Sequence, residues 1–503
     1  MKSSALFLFL LPLLLCLSVS AQSFFPDDDF DVDDPPSGVL ADEWTEMFLE
    51  GEKIGHTRST TSRDGDRILT VEESRLRIAR EGSVVETSTL SETRERIDGT
   101  PVSIRTLSRE GVLTRTRTIR FTADGATIRT SAGGRVWDHE AAFEPGFVLP
   151  WSFVRTLAAH GEPEPGDEIS ARLYSPDITV NQPLPLTTRF VGPETISFRG
   201  ESRRAIRIEQ VLRIGFIPMK MTLWVDETGR LLRGSMPLGG LDITLLGATE
   251  EQALAEYEAP DLFSASLLPL NRTIPSEADE VTYLLRGADE GETPFPTGAN
   301  QAVERRPDGA LAVTVSRGRL DFPDANRTPA DPRFLEPSLL VDFEDPAIQT
   351  LLDSAGLDSL PPAEQVRRLV DLVDETIAVK SLDFGFATAS QVAEHGEGDC
   401  TEHALLLAAL GRAAGFPTRG ASGLVYFEDE QGAPFMGYHM WTQVWNGSDW
   451  LDLDAGFGEA ETSPVRVLLS VSDLSSESFV GEALVISRSL GRTEVEVTGV
   501  RTP

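Results

Sequence analysis

Residues 404–410 are all alanine or leucine, so a helix through them would be apolar on every side. Such a helix is stable in a soluble protein only where other elements bury it. Gly415 and Pro417 come next and are typical of the end of a helix. Residues 401–414 are therefore predicted as the buried central helix of a domain at the C-terminal end of the chain.

Cys400 directly precedes this helix, and Asp399 is a suitable N-cap for it. In the first turn, the positive end of the helix dipole favours a thiolate over a thiol. Cys16, the other of the two cysteines, lies in the apolar N-terminal stretch and is expected to be removed with it, so no internal disulfide can form. Cys400 is predicted as a nucleophile, with an inert buried thiol as the alternative.

About forty residues further on, a predicted β-hairpin carries His439 and Asp454. Residues 446–447, Asn-Gly, are typical of a two-residue type I′ turn. Such a turn pairs Trp445 with Ser448 and places His439 directly opposite Asp454. Cross-strand neighbours on one face are about 5 Å apart at Cβ, so an imidazole–carboxylate hydrogen bond is predicted.

The same register places Trp441 opposite Asp452 and Gln443 opposite Trp450, all on the face that carries the histidine. Asp452 faces the same way as Asp454 and is the alternative partner for the imidazole. The turn register favours Asp454.

A nucleophile at a helix start and a His–Asp pair on adjacent strands are the parts of a cysteine triad. His439 would take the thiol proton, Asp454 would hold the ring tautomer, and the backbone N–H of Cys400 is a candidate oxyanion donor. A zinc site that adds His403 is the alternative, but Cys-x-x-His spacing alone is a weak pattern. No metal and no cofactor are predicted.

Four stretches between 334 and 460 resemble the transglutaminase-like superfamily of papain-related cysteine enzymes: 398–404, 412–419, 438–441 and 450–455. The resemblance implies a papain-like domain with a central cysteine helix against an antiparallel sheet, and a triad of Cys400, His439 and Asp454. It also implies a thioester acyl-enzyme formed on a peptide amide, with hydrolysis by water or transamidation by a primary amine.

Two features depart from the family pattern. Ala455 and Gly456 follow the aspartate, where the family often has Pro with Thr or Ser, or Ala-Thr. No tryptophan lies just upstream of Cys400, where animal transglutaminases have an aromatic residue that helps to form the oxyanion site. The second oxyanion donor therefore stays open, and calcium dependence is not implied.

The remainder of the chain predicts an α+β protein in which two antiparallel β-rich domains precede the catalytic one. Alternating β-like runs separated by Asp-Gly and Glu-Gly turns predict a large, half-barrel-like β domain over 39–260. A short helix is predicted at 150–160. A small β-sandwich-like domain is predicted over 261–333 and the transglutaminase-like domain over 334–503, with helices at 346–353 and 362–379.

Residues 1–21 have the pattern of a signal peptide: Lys2, an apolar run at 5–17 and small residues before the cleavage point. An uncleaved membrane anchor is the alternative, although the run is short for a membrane span. Residues 22–38 are predicted as an acidic disordered linker. The chain is thus expected to be exported, to the periplasm or beyond the cell, without stable membrane insertion after cleavage.

The formal net charge is -35. Such an acidic surface disfavours nucleic acid and anionic membranes as partners. The sequence therefore predicts an exported transglutaminase-like cysteine enzyme whose partner is a peptide or protein substrate. An inactive transglutaminase-like scaffold, whose β domains hold a partner, is the alternative. The oligomeric state is left open.

Overall fold

The computed structural model describes residues 30–80, 83–215, 217–238, 241–261, 267–287, 295–323, 331–380, 387–475 and 493–503. The predicted signal peptide, and residues 22–29 of the predicted linker, lie outside the described residues. Within the described residues, no helix has both the length and the apolar character needed to cross a membrane.

Fourteen antiparallel strands form one large sheet in the N-terminal half of the chain. The first eight strands follow one another as neighbours, as do the last six, and β1 pairs with β14 where the two series meet. The strands are β1 (Gly38–Leu49), β2 (Glu52–Asp64), β3 (Arg67–Arg80), β4 (Ser83–Arg96), β5 (Pro101–Glu110), β6 (Leu113–Thr122), β7 (Gly125–Ala132), β8 (Arg135–Ala142), β9 (Glu168–Leu173), β10 (Leu184–Phe198), β11 (Glu201–Ile214), β12 (Ile217–Val225), β13 (Leu231–Leu238) and β14 (Leu241–Ala248).

The large sheet curls so that its two edges approach each other. Val148, which follows edge strand β8, donates its N–H to the Arg172 carbonyl in edge strand β9 at 2.7 Å. Helix α1 (Pro150–His160) lies in the connection between the two edges, as the sequence predicts. The indole N–H of Trp151 donates to the Ile97 carbonyl at 2.8 Å, which fixes α1 beside the end of β4.

Residues 30–37 differ from the disordered linker that the sequence predicts. The rings of Phe30 and Trp151 have centroids 6.4 Å apart. Arg155 of α1 donates to the Val32 carbonyl and to the Asp33 carboxylate, each at 2.7 Å. The apolar side chains within the acidic run and the arginine that neutralises it explain why this part of the segment packs against the helix.

A second sheet contains four strands in the order β17-β18-β16-β25: β16 (Glu280–Arg286), β17 (Gln301–Arg305), β18 (Leu311–Ser316) and β25 (Glu494–Arg501). The predicted sandwich over 261–333 is therefore a single sheet. It is completed by a C-terminal strand that the sequence assigned to the catalytic domain. Because β16 is largely buried, its backbone needs a partner on both sides, and β25 supplies the second one.

The third sheet has the order β15-β22-β21-β24, with β23 paired to β22. Its strands are β15 (Leu268–Pro269), β21 (Thr418–Glu428), β22 (Pro434–Trp445), β23 (Trp450–Leu453) and β24 (Arg466–Ser472). Two short strands that precede Cys400 in the sequence, β19 (Val379–Lys380) and β20 (Glu397–Gly398), form a parallel pair.

Helix α6 (Cys400–Ala413) is the buried central helix that the apolar run predicts. Helices α3 (Pro346–Ala355), α4 (Pro362–Thr376) and α5 (Ala389–His395) pack against it. A short helix, α2 (Glu250–Leu254), packs instead against β1, β2 and β14 of the large sheet. On the other side, Thr442 of β22 donates its hydroxyl to the Ala404 carbonyl, and Thr418 of β21 donates to the Ala408 carbonyl, each at 2.9 Å.

Candidate active site

The Cys400 side chain is held at the start of α6 by a reciprocal cap. Asp399 accepts the Thr401 N–H at 2.8 Å, and the Asp399 N–H donates to Glu402 at 2.9 Å. Glycine is needed at 398, because a Cβ there would lie 2.3 Å from the Glu402 Cβ. Cys400 is buried, with 9% of its surface exposed.

The contacts of α6 with the sheet place Cys400 along strand β22. Ala408 is level with Thr418, which pairs with Val444, and Ala404 is level with Thr442. Four residues of a helix rise about 6 Å and two residues of a strand rise about 6.6 Å, so each helical turn of α6 corresponds to two residues of β22. One turn further towards the helix start, Cys400 comes level with Met440 and its neighbour His439.

The hairpin register that the sequence predicts is wrong by two residues. Trp445 pairs with Trp450, not with Ser448, and residues 446–449 form a four-residue loop. The Asn446 side chain accepts the N–H groups of Ser448 at 2.9 Å and Asp449 at 2.8 Å, which stabilises the longer loop. In consequence Gln443, rather than Trp441, lies opposite Asp452.

His439 and Asp454 nevertheless meet, with Nε2 2.7 Å from Oδ2. A shift of two residues keeps each side chain on its original face, and the diagonal neighbour is still within reach of an imidazole. Asp452 does not bind the histidine: it accepts the indole N–H of Trp441 and the side-chain amide of Gln443, each at 2.7 Å.

The His439 ring is held between two aromatic side chains. It stacks on Trp441 at 6.1 Å with an interplanar angle of 18°, and Phe457 meets it edge-on at 5.1 Å. Because Nε2 is bonded to Asp454, the proton of the neutral ring belongs on Nε2 and the lone pair on Nδ1. Among the described residues Nδ1 has no hydrogen-bond partner. This nitrogen is therefore the one that can exchange a proton with a thiol.

Asp454 is ionised although it is only 1% exposed. Burial on its own raises the pKa of this carboxyl, but the charges of His439 and Arg466 and their hydrogen bonds lower it well below its usual range. Its other oxygen, Oδ1, accepts the Phe457 N–H at 3.2 Å. A permanent carboxylate next to the ring stabilises the imidazolium that forms when the histidine takes a proton.

Arg466 is a site residue that the sequence reasoning missed. Its Nε lies 2.7 Å from Asp454 Oδ2, and its Nη1 lies 2.8 Å from Glu459 Oε2. The available signal was the position of this arginine in an otherwise apolar run, 465–469, because buried arginines are rare unless they are paired.

His403 and Glu402 lie beside the nucleophile but, among the described residues, form no hydrogen bond with His439 or Asp454. His403 Nδ1 donates to the Asp399 carbonyl at 2.6 Å, and burial lowers the pKa of its ring. Burial and the neighbouring Asp399 raise the pKa of Glu402 well above its usual range. Within the described ranges, no three His, Cys, Asp or Glu side chains come together as metal ligands would.

Residues 353–455 match the sequence model of the transglutaminase-like superfamily. The C-terminal domain is transglutaminase-like. The match extends from the end of α3 through Cys400 and His439 to Asp454, and it supports the function of a cysteine enzyme in general terms. The comparison with curated proteins gave no match.

Three solved structures show weak likeness to the chain. One is a candidate cysteine protease from Cytophaga hutchinsonii, 12% identical, covering 45% of this chain and 87% of that one, with a TM-score of 0.27. Another is a β-barrel-like protein of unknown function from Brucella abortus, 10% identical, covering 42% and 98%, with a TM-score of 0.33. The third is the periplasmic domain of TgpA from Pseudomonas aeruginosa, 16% identical, covering 39% and 77%, with a TM-score of 0.23.

Proposed function

We propose that this chain is an exported transglutaminase-like cysteine enzyme that acts on amide bonds of a peptide or protein through a thioester acyl-enzyme. The observation that supports this most strongly is the state of His439. Nε2 is bound to the Asp454 carboxylate, Nδ1 is open, and Cys400 begins the helix that packs on the same strand. His403 also leaves one nitrogen without a partner among the described residues, but its bonded nitrogen donates to a backbone carbonyl and not to a carboxylate.

In the first half of the reaction, His439 Nδ1 takes the proton of the Cys400 thiol, and the sulfur attacks the carbonyl carbon of the substrate amide. The oxyanion of the tetrahedral intermediate is stabilised at the start of α6, where the Cys400 N–H is the candidate donor. The intermediate collapses, the C–N bond breaks, and the imidazolium returns its proton to the leaving amine. The acyl group remains on sulfur as a thioester.

In the second half, His439 takes a proton from water or from a primary amine as that nucleophile attacks the thioester. The C–S bond breaks, and the sulfur recovers the proton from the imidazolium. Water gives an acid and amounts to hydrolysis, whereas an amine gives a new amide and amounts to transamidation. Asp454 orients the ring and stabilises the imidazolium, and it stays ionised throughout both halves.

The first test is alkylation by iodoacetamide, as a function of pH, of the purified mature chain, which lacks the predicted signal peptide and its Cys16. An activated Cys400 reacts at pH values where an ordinary thiol, with a pKa of about 8.5, is largely protonated. We expect His439→Ala to remove this early reactivity and Cys400→Ala to remove the label. A thiol that reacts only near its ordinary pH, with or without His439, would contradict the proposal and favour an inactive scaffold.

The second test distinguishes the two acceptors. Fluorescein-labelled casein reports hydrolysis, and incorporation of dansylcadaverine into casein reports transamidation. We expect one of these signals in the wild type and neither in the Cys400→Ala variant, with the fold of the variant checked by circular dichroism. Turnover that persists in Cys400→Ala would contradict the mechanism.

A further inference from the structure

Asp454 Oδ2 has two partners, and only one of them belongs to the proposed triad. His439 Nε2 and Arg466 Nε each lie 2.7 Å from this single oxygen. Arg466 is 2% exposed and is not a surface residue that leans over the site. Its side chain continues to Glu459, so imidazole, carboxylate, guanidinium and carboxylate follow one another in a row.

We propose that Arg466 is a positioning residue, which fixes Asp454 in the orientation and ionised state that hold His439. This inference rests on the proposed function only in naming the His–Asp pair as catalytic.

Asp454 needs such support because it follows the end of β23 and is not part of a regular ladder. Its backbone exchanges hydrogen bonds with Glu459 at 2.8 Å in both directions across a short loop, and its carbonyl also accepts the Phe457 N–H at 3.3 Å. A buried carboxylate with one neutral donor is unstable in its ionised form. The guanidinium supplies the missing charge and a rigid, planar contact, which lysine cannot reproduce.

Other charged and titratable groups around Asp454 do not replace Arg466. Those that face the carboxylate or its arginine are His439 on β22, His403 on α6, Asp452 on β23, Glu459 in the loop and Tyr283 on β16. His403 also interacts electrostatically with Asp454, but burial lowers the pKa of its ring and favours the neutral form. Lys380 on β19 donates to the Gly456 carbonyl at 3.0 Å, so Arg466 is the only permanent cation among the described residues that bonds to this carboxylate.

The small sheet holds Arg466 in place from both sides. Tyr283 donates its hydroxyl to the Pro464 carbonyl at 2.9 Å. Gln301 donates to the Leu468 carbonyl at 2.9 Å and accepts the Leu468 N–H at 2.8 Å. Residues two positions before and two positions after Arg466 are therefore fixed by a sheet that the sequence treats as a separate domain.

The test follows the proton between His439 Nε2 and Asp454 by NMR, as the downfield imidazole resonance of the full chain. Histidine-selective ¹⁵N labelling and the His439→Ala variant assign it among the six histidines. In the wild type we expect the resonance to persist in acid for as long as the protein is folded. In Arg466→Gln it should disappear at a proton concentration at least tenfold lower than in the wild type, because the buried carboxyl then takes up a proton more readily.

Arg466→Lys should give an intermediate titration, since it keeps the charge but not the geometry. Arg419→Gln is the matched control: Arg419 is a half-buried arginine of the same sheet that bonds to Gln443 and not to Asp454, so its variant should titrate like the wild type. An Arg466→Gln variant that titrates like the wild type would overturn the inference. If Arg466→Gln does not fold, Arg466→Lys decides, and a wild-type titration there would have the same consequence.

The readout does not depend on turnover. If Cys400 proves unreactive while Arg466→Gln shifts the resonance, the proposed function fails and the positioning role stands. If Cys400 is reactive while Arg466→Gln leaves the resonance unchanged, the proposed function stands and the positioning role fails.

Discussion

Two buried carboxylates in this chain have opposite ionisation behaviour. Glu95 in the large sheet and Asp454 in the transglutaminase-like domain are each 1% exposed. Glu95 accepts the N–H groups of Trp151 and Ser152 at the start of α1, at 2.7 and 2.9 Å, yet burial raises its pKa to about 7. Asp454 is bonded to the His439 imidazole and to the Arg466 guanidinium, and its pKa is lowered.

The difference shows what a buried carboxylate needs in order to stay charged. Neutral N–H donors and a helix dipole reduce the cost of burial at Glu95 without outweighing it. At Asp454 the imidazole and the guanidinium reverse the sign. An ionised buried carboxylate therefore marks a position where the fold has assembled specific cations, as it also has at Glu46 of the large sheet, beside Lys53 and Arg199.

The largest expected effect is on turnover when Asp454 is removed. Asp454→Ala should lower kcat/KM by about 10³- to 10⁴-fold, because the imidazole loses the group that orients it and stabilises its cation. Asp452→Ala is the matched control two residues away, since it bonds to Trp441 and Gln443. It should reduce kcat/KM far less. Steady-state assays on whichever casein reaction is active measure both, and the opposite order would assign the triad to Asp452.

The next largest effect is on stability: the Glu95 carboxyl should make the free energy of unfolding depend on pH. Its pKa is about 7 in the folded protein against 4.5 as the ordinary value, so the folded state holds the proton more tightly between these values. Its contribution to stability is therefore present below about pH 4.5 and is lost as the pH rises to about 7, a change of about 3 kcal/mol. Asp454 has the opposite sign: its lowered pKa contributes stability above the ordinary value of 3.8, which is lost in acid.

Urea unfolding of the wild type and of Glu95→Gln at pH 5 and pH 8 measures this term. The glutamine should destabilise the large sheet at pH 5, because its NH₂ group cannot accept the second N–H of α1. The difference in unfolding free energy should shrink by about 3 kcal/mol at pH 8, where the wild type carries a buried charge. A difference that is the same at both pH values would show that the Glu95 pKa is not raised.

Parts of this fold follow from local sequence patterns. The apolar run predicts α6, and the periodic segments predict α1, α3 and α4, each within three residues at its ends. The His439–Asp454 contact was reached through a wrong register, yet the error of two residues left both side chains on the predicted face. The side-chain period of a strand thus preserves a functional face even when the loop length is misjudged.

Other parts depend on contacts between residues distant in sequence, which no local pattern contains. Arg466 reaches Asp454 from the next strand, and Gln301 fixes Leu468 across 167 residues. The C-terminal strand β25 pairs with β16, so a boundary drawn along the sequence divides a sheet. Glu95 meets the start of α1 56 residues later. Such pairings need the three-dimensional arrangement before their chemistry can be interpreted.

The smallest expected effect is on stability, from substitutions in one turn of the large sheet and in one turn of the transglutaminase-like domain. The large sheet turns at Gly65, whose φ of 60° favours glycine, so Gly65→Ala should cost about 1 kcal/mol. The hairpin of the active site instead depends on the Asn446 side chain, which also donates to the Asp321 carbonyl at 2.9 Å. Asn446→Ala should cost about 1–2 kcal/mol in urea unfolding, through the hydrogen bonds that it loses.

Neither turn variant should change the alkylation rate of Cys400, because His439 and Asp454 are fixed by Trp441, Phe457 and Arg466 rather than by the loop. If Asn446→Ala slowed alkylation as much as His439→Ala, the loop would be setting the geometry of the pair. The four-residue connection would then be a requirement of the site, and not only of the hairpin.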